Sequence, residues 1–227
     1  MERQNFHKEL DHLKMTVYKM AASARKSLDS ACKAYQERDD TLAQTIIDGD
    51  LEINAIELDI DRQSLRLLAL EQPMARDLRM IVGIMRISND MERIADQCVN
   101  IAERTIFLCQ HPPIEPVPAM DSLIGSTRKM FFLAVNAFRD MDAQSAREIP
   151  AMDDEADEYT MQVLKGLIED MASSSPGFEK RVLKMRRNIQ TIIISRCLER
   201  IADLSTNIAE HVAFIAEGIN IKHQNKQ

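Results

Sequence analysis

The sequence predicts an all-α fold made of two tandem three-helix bundles. Three observations carry that prediction. Long stretches place apolar residues at three- and four-residue steps, the period of one helix face. A proline cluster divides the chain near its middle. A twelve-residue acidic segment occurs once on each side of that cluster. Composition agrees: 227 residues include only 6 Gly and 7 Pro, aromatics are 4%, and charged residues reach 29%. That balance suits long amphipathic helices and not a turn-rich sandwich or barrel.

The first helix is expected from Asn5 to Glu37, where Leu10, Leu13, Val17, Met20, Ala24 and Leu28 share a face. At ~1.5 Å per residue it is roughly 50 Å long. Arg38-Asp39-Asp40-Thr41 supplies a stop and a fresh N-cap. A second helix runs from Thr41 to Glu71, with Gly49 inside it at a cost of about 1 kcal/mol relative to Ala. Pro73 breaks the chain and biases Gln72 away from helix. The third helix starts after Pro73 and runs to Gln110.

Between His111 and Pro118 lie four prolines, which no helix accommodates. Residues 113–118 read as a linker between a first repeat, 1–112, and a second, 113–227, the two packing as one elongated domain. In the second repeat, helices are expected over Met120–Arg139, Ala143–Met171 and Phe178–Ile221, with a loop at Ser173–Gly177. Pro150 should kink the middle one or delay its start.

The repeat is explicit. Glu92 to Glu103 reads ERIADQCVNIAE and Glu199 to Glu210 reads ERIADLSTNIAE, identical at nine of twelve positions and 107 residues apart. Asp50 and Asn54 correspond to Asp153 and Asp157, and Asp39 to Asp142, at a spacing of 103.

Within each signature one acid follows another by four residues: Glu92 and Asp96, Glu199 and Asp203. Four-residue spacing stacks the side chains on one helix face. Asp153 and Asp157 make a third pair, and Asp50 with Asn54 its weaker counterpart. Like charges at this spacing cost a few tenths of a kcal/mol per pair. A bound cation removes that cost, and all-oxygen donors suit hard ions such as Mg²⁺, Ca²⁺ and Mn²⁺, or iron in carboxylate-bridged sites. If the second and third helices of a repeat run antiparallel, their acids face each other and build one site per repeat. The competing reading is a solvated acidic face neutralised by Arg93 and Arg200. The enzyme alternative is a metal-storage or di-metal carboxylate bundle. It needs Glu-x-x-His on two helices, and only Glu9 and His12 have that spacing.

Other classes find little support. No nucleophile elbow, phosphate loop or dinucleotide fingerprint occurs, so no turnover chemistry is expected. A net charge of −7 is a poor footprint for nucleic acid. The four cysteines lack zinc spacing and read as reduced thiols of a cytoplasmic protein. The charged N-terminus carries no secretory signal, and no apolar run spans a membrane. The basic run Lys180 to Arg187 reads as the wet face of a helix, and Met80, Met85 and Met91 as core.

The repeated E-R-I-A-D…N-I-A-E, preceded by Gln72-Pro73-Met74-Ala75-Arg76-Asp77-Leu78-Arg79, resembles the PhoU family over essentially the whole chain. The resemblance implies a non-enzymatic, often homodimeric, cytoplasmic regulator of phosphate uptake. It would act between a PstB-type transporter ATPase of the Pst system and a PhoR-type sensor histidine kinase, repressing the Pho regulon without membrane insertion. It also implies that the acidic motifs hold divalent or trivalent ions: iron, manganese, magnesium or zinc. Carried over by position, Glu92, Asp96, Glu199 and Asp203 are motif ligands, with Asp153, Asp157 and Asp50 from the second helices. Asn54 stands where an acid would complete the last pair.

Overall fold

The protein is described by a computed structural model covering residues 2–173 and 177–219. Its helices are α1 (Glu2–Glu37), α2 (Asp40–Glu71), α3 (Ala75–Cys109), α4 (Pro118–Asp140), α5 (Ala143–Glu148), α6 (Asp153–Ala172) and α7 (Phe178–Glu217). There are no strands among the described residues. Every expected helix forms, with one division. The stretch expected from Ala143 to Met171 becomes α5, a 3₁₀ turn at Pro150–Met152, and α6. Pro150 lacks the N–H that a continuous helix needs there. The last helix stops at Glu217, short of Ile221. Gly218 takes the left-handed conformation (φ 76) and its amide bonds the Phe214 carbonyl at 2.9 Å, a cap that ends the helix. Ile221 itself and residues 174–176 of the expected loop lie outside the described residues.

The repeat extends to the joints. α1 ends at left-handed Arg38 (φ 55), and α4 at left-handed Met141 (φ 52), 103 residues later. The Asp39 amide then reaches the Ala34 carbonyl at 2.9 Å, and the Asp142 amide reaches Ala137 at 3.0 Å. Asp39 caps α2 by accepting from the Leu42 amide at 2.8 Å, while Asp142 caps α5 through the Gln144 and Ser145 amides.

Helices α1 and α2 pack on α3, and α4, α5 and α6 pack on α7. α3 and α7 pack on each other along their lengths, so the two central helices join the repeats. They run antiparallel: Asp90 meets His211, Arg86 lies over the Phe214 ring, and Gly83 meets Ile215, one number rising as the other falls. The core is continuous through Ile84, Ile87, Met91, Ile94, Leu198, Ile201 and Ile208, all buried. Met80 and Met91 are core as expected, and Met85 is half-buried. A second seam joins α1 to α4. Arg128 bonds Asp29 at 2.7 Å, Arg25 sits 4.5 Å over the Phe132 ring, and Tyr18 stacks obliquely on Phe138.

Gly83 shows how tightly α3 and α7 approach. A β-carbon there would lie 2.3 Å from Ile215 Cγ1, and Ile215 is itself buried. Gly83→Ala should therefore destabilise the fold. Overpacking costs about 1–3 kcal/mol, against a helix-propensity gain of about 1 kcal/mol. With Ile215→Ala already present the clash is gone, and the same substitution should turn neutral or stabilising. Denaturant melts of the four proteins in the cycle read that change of sign; equal effects in both backgrounds would show that the two residues are uncoupled.

Candidate carboxylate ridges

Two acidic ridges run along the outside of the central helices. In the first repeat, α2 contributes Asp50, Asn54 and Glu57, and α3 contributes Glu92 and Asp96. Antiparallel packing brings Asp50 into electrostatic range of both Glu92 and Asp96, and Glu57 into range of Glu92. Burial first, then Asp96, Glu57 and Asp50, pushes the Glu92 carboxyl above its ordinary value. Burial and Asp50 do the same to Asp96, while Arg200 from α7 opposes them. The Asn54 amide donates to Asp50 Oδ2 at 2.8 Å. Asp50 Oδ1 and Asn54 Oδ1 are buried without a hydrogen-bond partner.

In the second repeat, α6 contributes Asp153 and Asp157, and α7 contributes Glu199 and Asp203. Asp153 is the most perturbed carboxyl of the two ridges. Burial, then the charges of Asp203 and Asp157, push it up to about 7, and it hydrogen-bonds to Asp203. Its Oδ1 is also buried without a partner. Burial pushes Glu199 up as well. Arg196, which bonds it at 3.2 Å, works in the opposite sense, while Asp203 and Asp157 add to the rise. Asp96 and Asp203, equivalent by the repeat, are both exposed.

All seven acids expected from the sequence thus lie on these ridges, four on the second and three on the first. Two ridge residues were missing from that set. Glu57 was legible as the seventh residue after Asp50, on the same face of α2. Arg196 was legible as the residue three before Glu199 on the same helix face, though its counterpart, residue 89, is asparagine. The signature arginines offset part of the acidic charge. Arg93 bonds Asp90 at 3.3 Å and also opposes the rise at Glu92, and Arg200 opposes it at Glu199 and, across the repeats, at Asp96. Asn100 donates back to the Asp96 backbone carbonyl at 3.0 Å and not to a ridge acid.

The donor chemistry fits a hard cation: carboxylate and amide oxygens, three of them buried and without partners. As they stand, no three His, Cys, Asp or Glu side chains among the described residues converge to hold a metal ion.

A second charged cluster lies between α3 and α7. Asp90, 5% exposed, accepts from Arg93 and pairs with His211 Nε2 at 3.3 Å. The positions equivalent to Asp90 and His211 are Cys197 and Arg104, and Arg104 lies close enough to act on the Cys197 thiol. The equivalent places therefore hold a carboxylate–imidazole contact at one end of the interface and a thiol within reach of a guanidinium charge at the other.

Asp153 gives the ridge a pH signature. Its folded value, about 7, exceeds the ordinary 3.8. The protonated form stabilises the fold below the ordinary value, and that contribution is lost as pH rises toward about 7. In chelator, the melting temperature of Asp153→Asn minus that of wild type should climb between those limits and level off above about 7. A difference that is flat with pH would contradict the ridge electrostatics.

Comparison with known proteins agrees with the sequence and the fold. The PhoU domain family matches residues 17–105 and again 121–212, once per repeat. The phosphate-specific transport system accessory protein PhoU homolog of Aquifex aeolicus is 36% identical over 96% of this chain and 95% of its own length. The Pseudomonas aeruginosa homolog is 33% identical over 97% of this chain and 88% of its own. The crystal structure of PhoU from Pseudomonas aeruginosa superposes with a TM-score of 0.87, covering 94% of this chain and 100% of that one at 30% identity. The phosphate transport system regulatory protein PhoU from Streptococcus pneumoniae gives a TM-score of 0.86 at 26% identity, over 96% and 99%. No described helix is long and apolar enough to cross a membrane. With its domain matched twice and nearly all of its length shared with these relatives, the chain belongs to the PhoU family.

Proposed function

We propose that this protein is a phosphate-homeostasis regulator, a cytoplasmic, non-enzymatic accessory of the phosphate-specific transport system. It works as an adaptor between a PstB-type ATPase and a PhoR-type sensor kinase, lowers uptake and represses the Pho regulon when phosphate is plentiful, and functions as a homodimer. The observation that carries this reading is the near-complete coverage by relatives named as accessory proteins of that transport system. The helical surface adds support, since its acids line two ridges built on the same plan in both repeats. His211, next to the second signature, is committed to Asp90. Deleting the gene should leave alkaline phosphatase expressed in phosphate-replete cells, and the wild-type gene should restore repression. Intact repression in the deletion strain would overturn the regulatory reading. Light scattering at working concentration checks the dimer, and a 25.9 kDa particle would refute it.

The same reading assigns divalent or trivalent cations to the ridges, with Glu199, Asp203, Asp153 and Asp157 holding one site and Glu92, Asp96 and Asp50 the other. A bound ion supplies positive charge where like charges are stacked. An ion that binds only the folded state raises stability by mass action. Added Mn²⁺ or Fe²⁺ should raise the melting temperature and chelator should lower it. Glu199→Gln with Asp203→Asn should abolish most of the response, leaving the metal-free protein no less stable than wild type because a repulsion has gone. The first ridge, with Asn54 in place of an acid, should bind more weakly. A wild-type melt indifferent to metal and chelator would leave the ridges as solvated acidic faces.

A further inference from the structure

A cavity of about 460 Å³ opens where the two repeats are joined, between the ends of α1 and α3, the start of α4 and residues 113–117 of the linker. Its size is that of sites for small organic ligands. The repeat supplies an internal comparison, because the same place exists at the other end of the α3–α7 pair. Tyr35 corresponds to Phe138 and Arg38 to Met141. Thr105 corresponds to Val212, and Thr191 to Ile84. At the far end Phe138, Val212 and Ile84 are fully buried, and Tyr18 stacks on Phe138. Tyr18 corresponds to Asp121, so at the near end a carboxylate stands where that ring would be. One end of the molecule is therefore packed core, and the equivalent end is a cavity with polar side chains at core positions.

Leu108 and Met120, both buried, and Ile114, packed against the core, give the cavity an apolar side. Thr105 donates its hydrogen to the Ile101 carbonyl at 2.9 Å and so offers the cavity an acceptor oxygen. Arg38 Nη2 donates to the Leu108 carbonyl at 2.6 Å and to the His111 carbonyl, while Nε and Nη1 carry three further N–H donors. Asp121 accepts from the Gln36 amide at 2.8 Å. Both charges are thus held by neutral partners. Burial pushes the Tyr35 hydroxyl up to about 12, its bond to Thr191 opposes that, and Asp121 and Arg38 act on it in opposite senses, so both charges lie in range of one wall. Glu115 adds a second carboxylate to the lining, and Asp39 and Asp40 lie in electrostatic range of Cys109, as Arg38 does. A small anion would meet this surplus of acid, and a small cation would leave the guanidinium donors unused. A ligand that carries both signs and an apolar group matches all three features.

We propose that this cavity binds a zwitterionic α-amino acid with an apolar side chain, its carboxylate on Arg38, its ammonium on Asp121 and Thr105, and its side chain on Leu108, Ile114 and Met120. The site is separate from the ridges and its test measures no repression, so it stands apart from the regulatory reading. The probe is L-phenylalanine, with phenethylamine and hydrocinnamate as analogues that keep the ring and one charge each. All three are titrated into the full chain by calorimetry at neutral pH. Phenylalanine should saturate at one molecule per chain, and each analogue should bind about tenfold more weakly or worse. Arg38→Met and Thr191→Ile install the residues of the packed end, where Met141 has the same left-handed backbone as Arg38. Asp121→Asn removes the charge and keeps an acceptor for Gln36. Each of the three should weaken phenylalanine by about tenfold or more, and thermal melts check that the variants stay folded. Bound phenylalanine should also slow alkylation of the half-buried Cys109 by N-ethylmaleimide, while Cys32, Cys98 and Cys197 are buried. That protection is read on the wild-type chain and decides the matter even if a variant does not fold. Absence of saturable phenylalanine binding, unchanged alkylation of Cys109, or an analogue that binds as tightly as phenylalanine would overturn the proposal, as would folded variants with unchanged affinity.

Discussion

The antiparallel contact between α3 and α7 is the constraint on which the rest of the structure depends. Each of these helices serves two purposes at once. Its inner face, with Ile84, Ile87, Met91 and Ile94 on α3 and Leu198, Ile201 and Ile208 on α7, joins the repeats into one core. Its outer side presents the signature acids to the second helix of its own repeat. Burying Asp90 in that interface with His211 and Arg93 as its partners makes the register selective, because a buried carboxylate left without partners is costly. A slip of one turn would leave the Asp90 carboxylate without its histidine and drive Ile215 away from Gly83.

Duplication explains why the two ridges resemble each other, and divergence explains why they differ. The caps at Asp39 and Asp142 and the left-handed residues before them recur at the same spacing. Asn54 against Asp157, and Arg196 against Asn89, are the departures that matter electrostatically. With Glu57 counted each ridge carries four acids, and Asp153 on the second is the carboxyl pushed furthest from its ordinary value. The first ridge replaces one charge with an amide that donates to Asp50 and so relieves part of the repulsion. Two ridges built on one plan thereby differ in their electrostatics.

Much of this was legible in the sequence, because helices and caps are local. Apolar periodicity located each helix, Pro73 and the 112–118 cluster located the breaks, and the repeat placed the seven acids on matching elements. Glu57 and the Gly218 cap were equally visible, one as a continuation of the Asp50 face and the other as a glycine after the last turn. What stayed hidden depends on contacts between repeats. Asp90 and His211 are 121 residues apart, and their meeting follows only from the antiparallel register of α3 and α7. Pro150 announced a disturbance, a kink or a late start, and a 3₁₀ turn at Pro150–Met152 divides the stretch instead.

The central claim is that α3 and α7 form one cooperative unit that carries both ridges. Native-state hydrogen exchange tests it directly, since amides that open only on global unfolding share a single exchange free energy. The account predicts that buried amides of α3 around Ile87 to Ile94 and of α7 around Leu198 to Ile208 exchange together, at the free energy of global unfolding. Exchange of one central helix at a markedly lower free energy than the other would contradict it, by showing that the repeats open independently and that the ridges do not share a common frame.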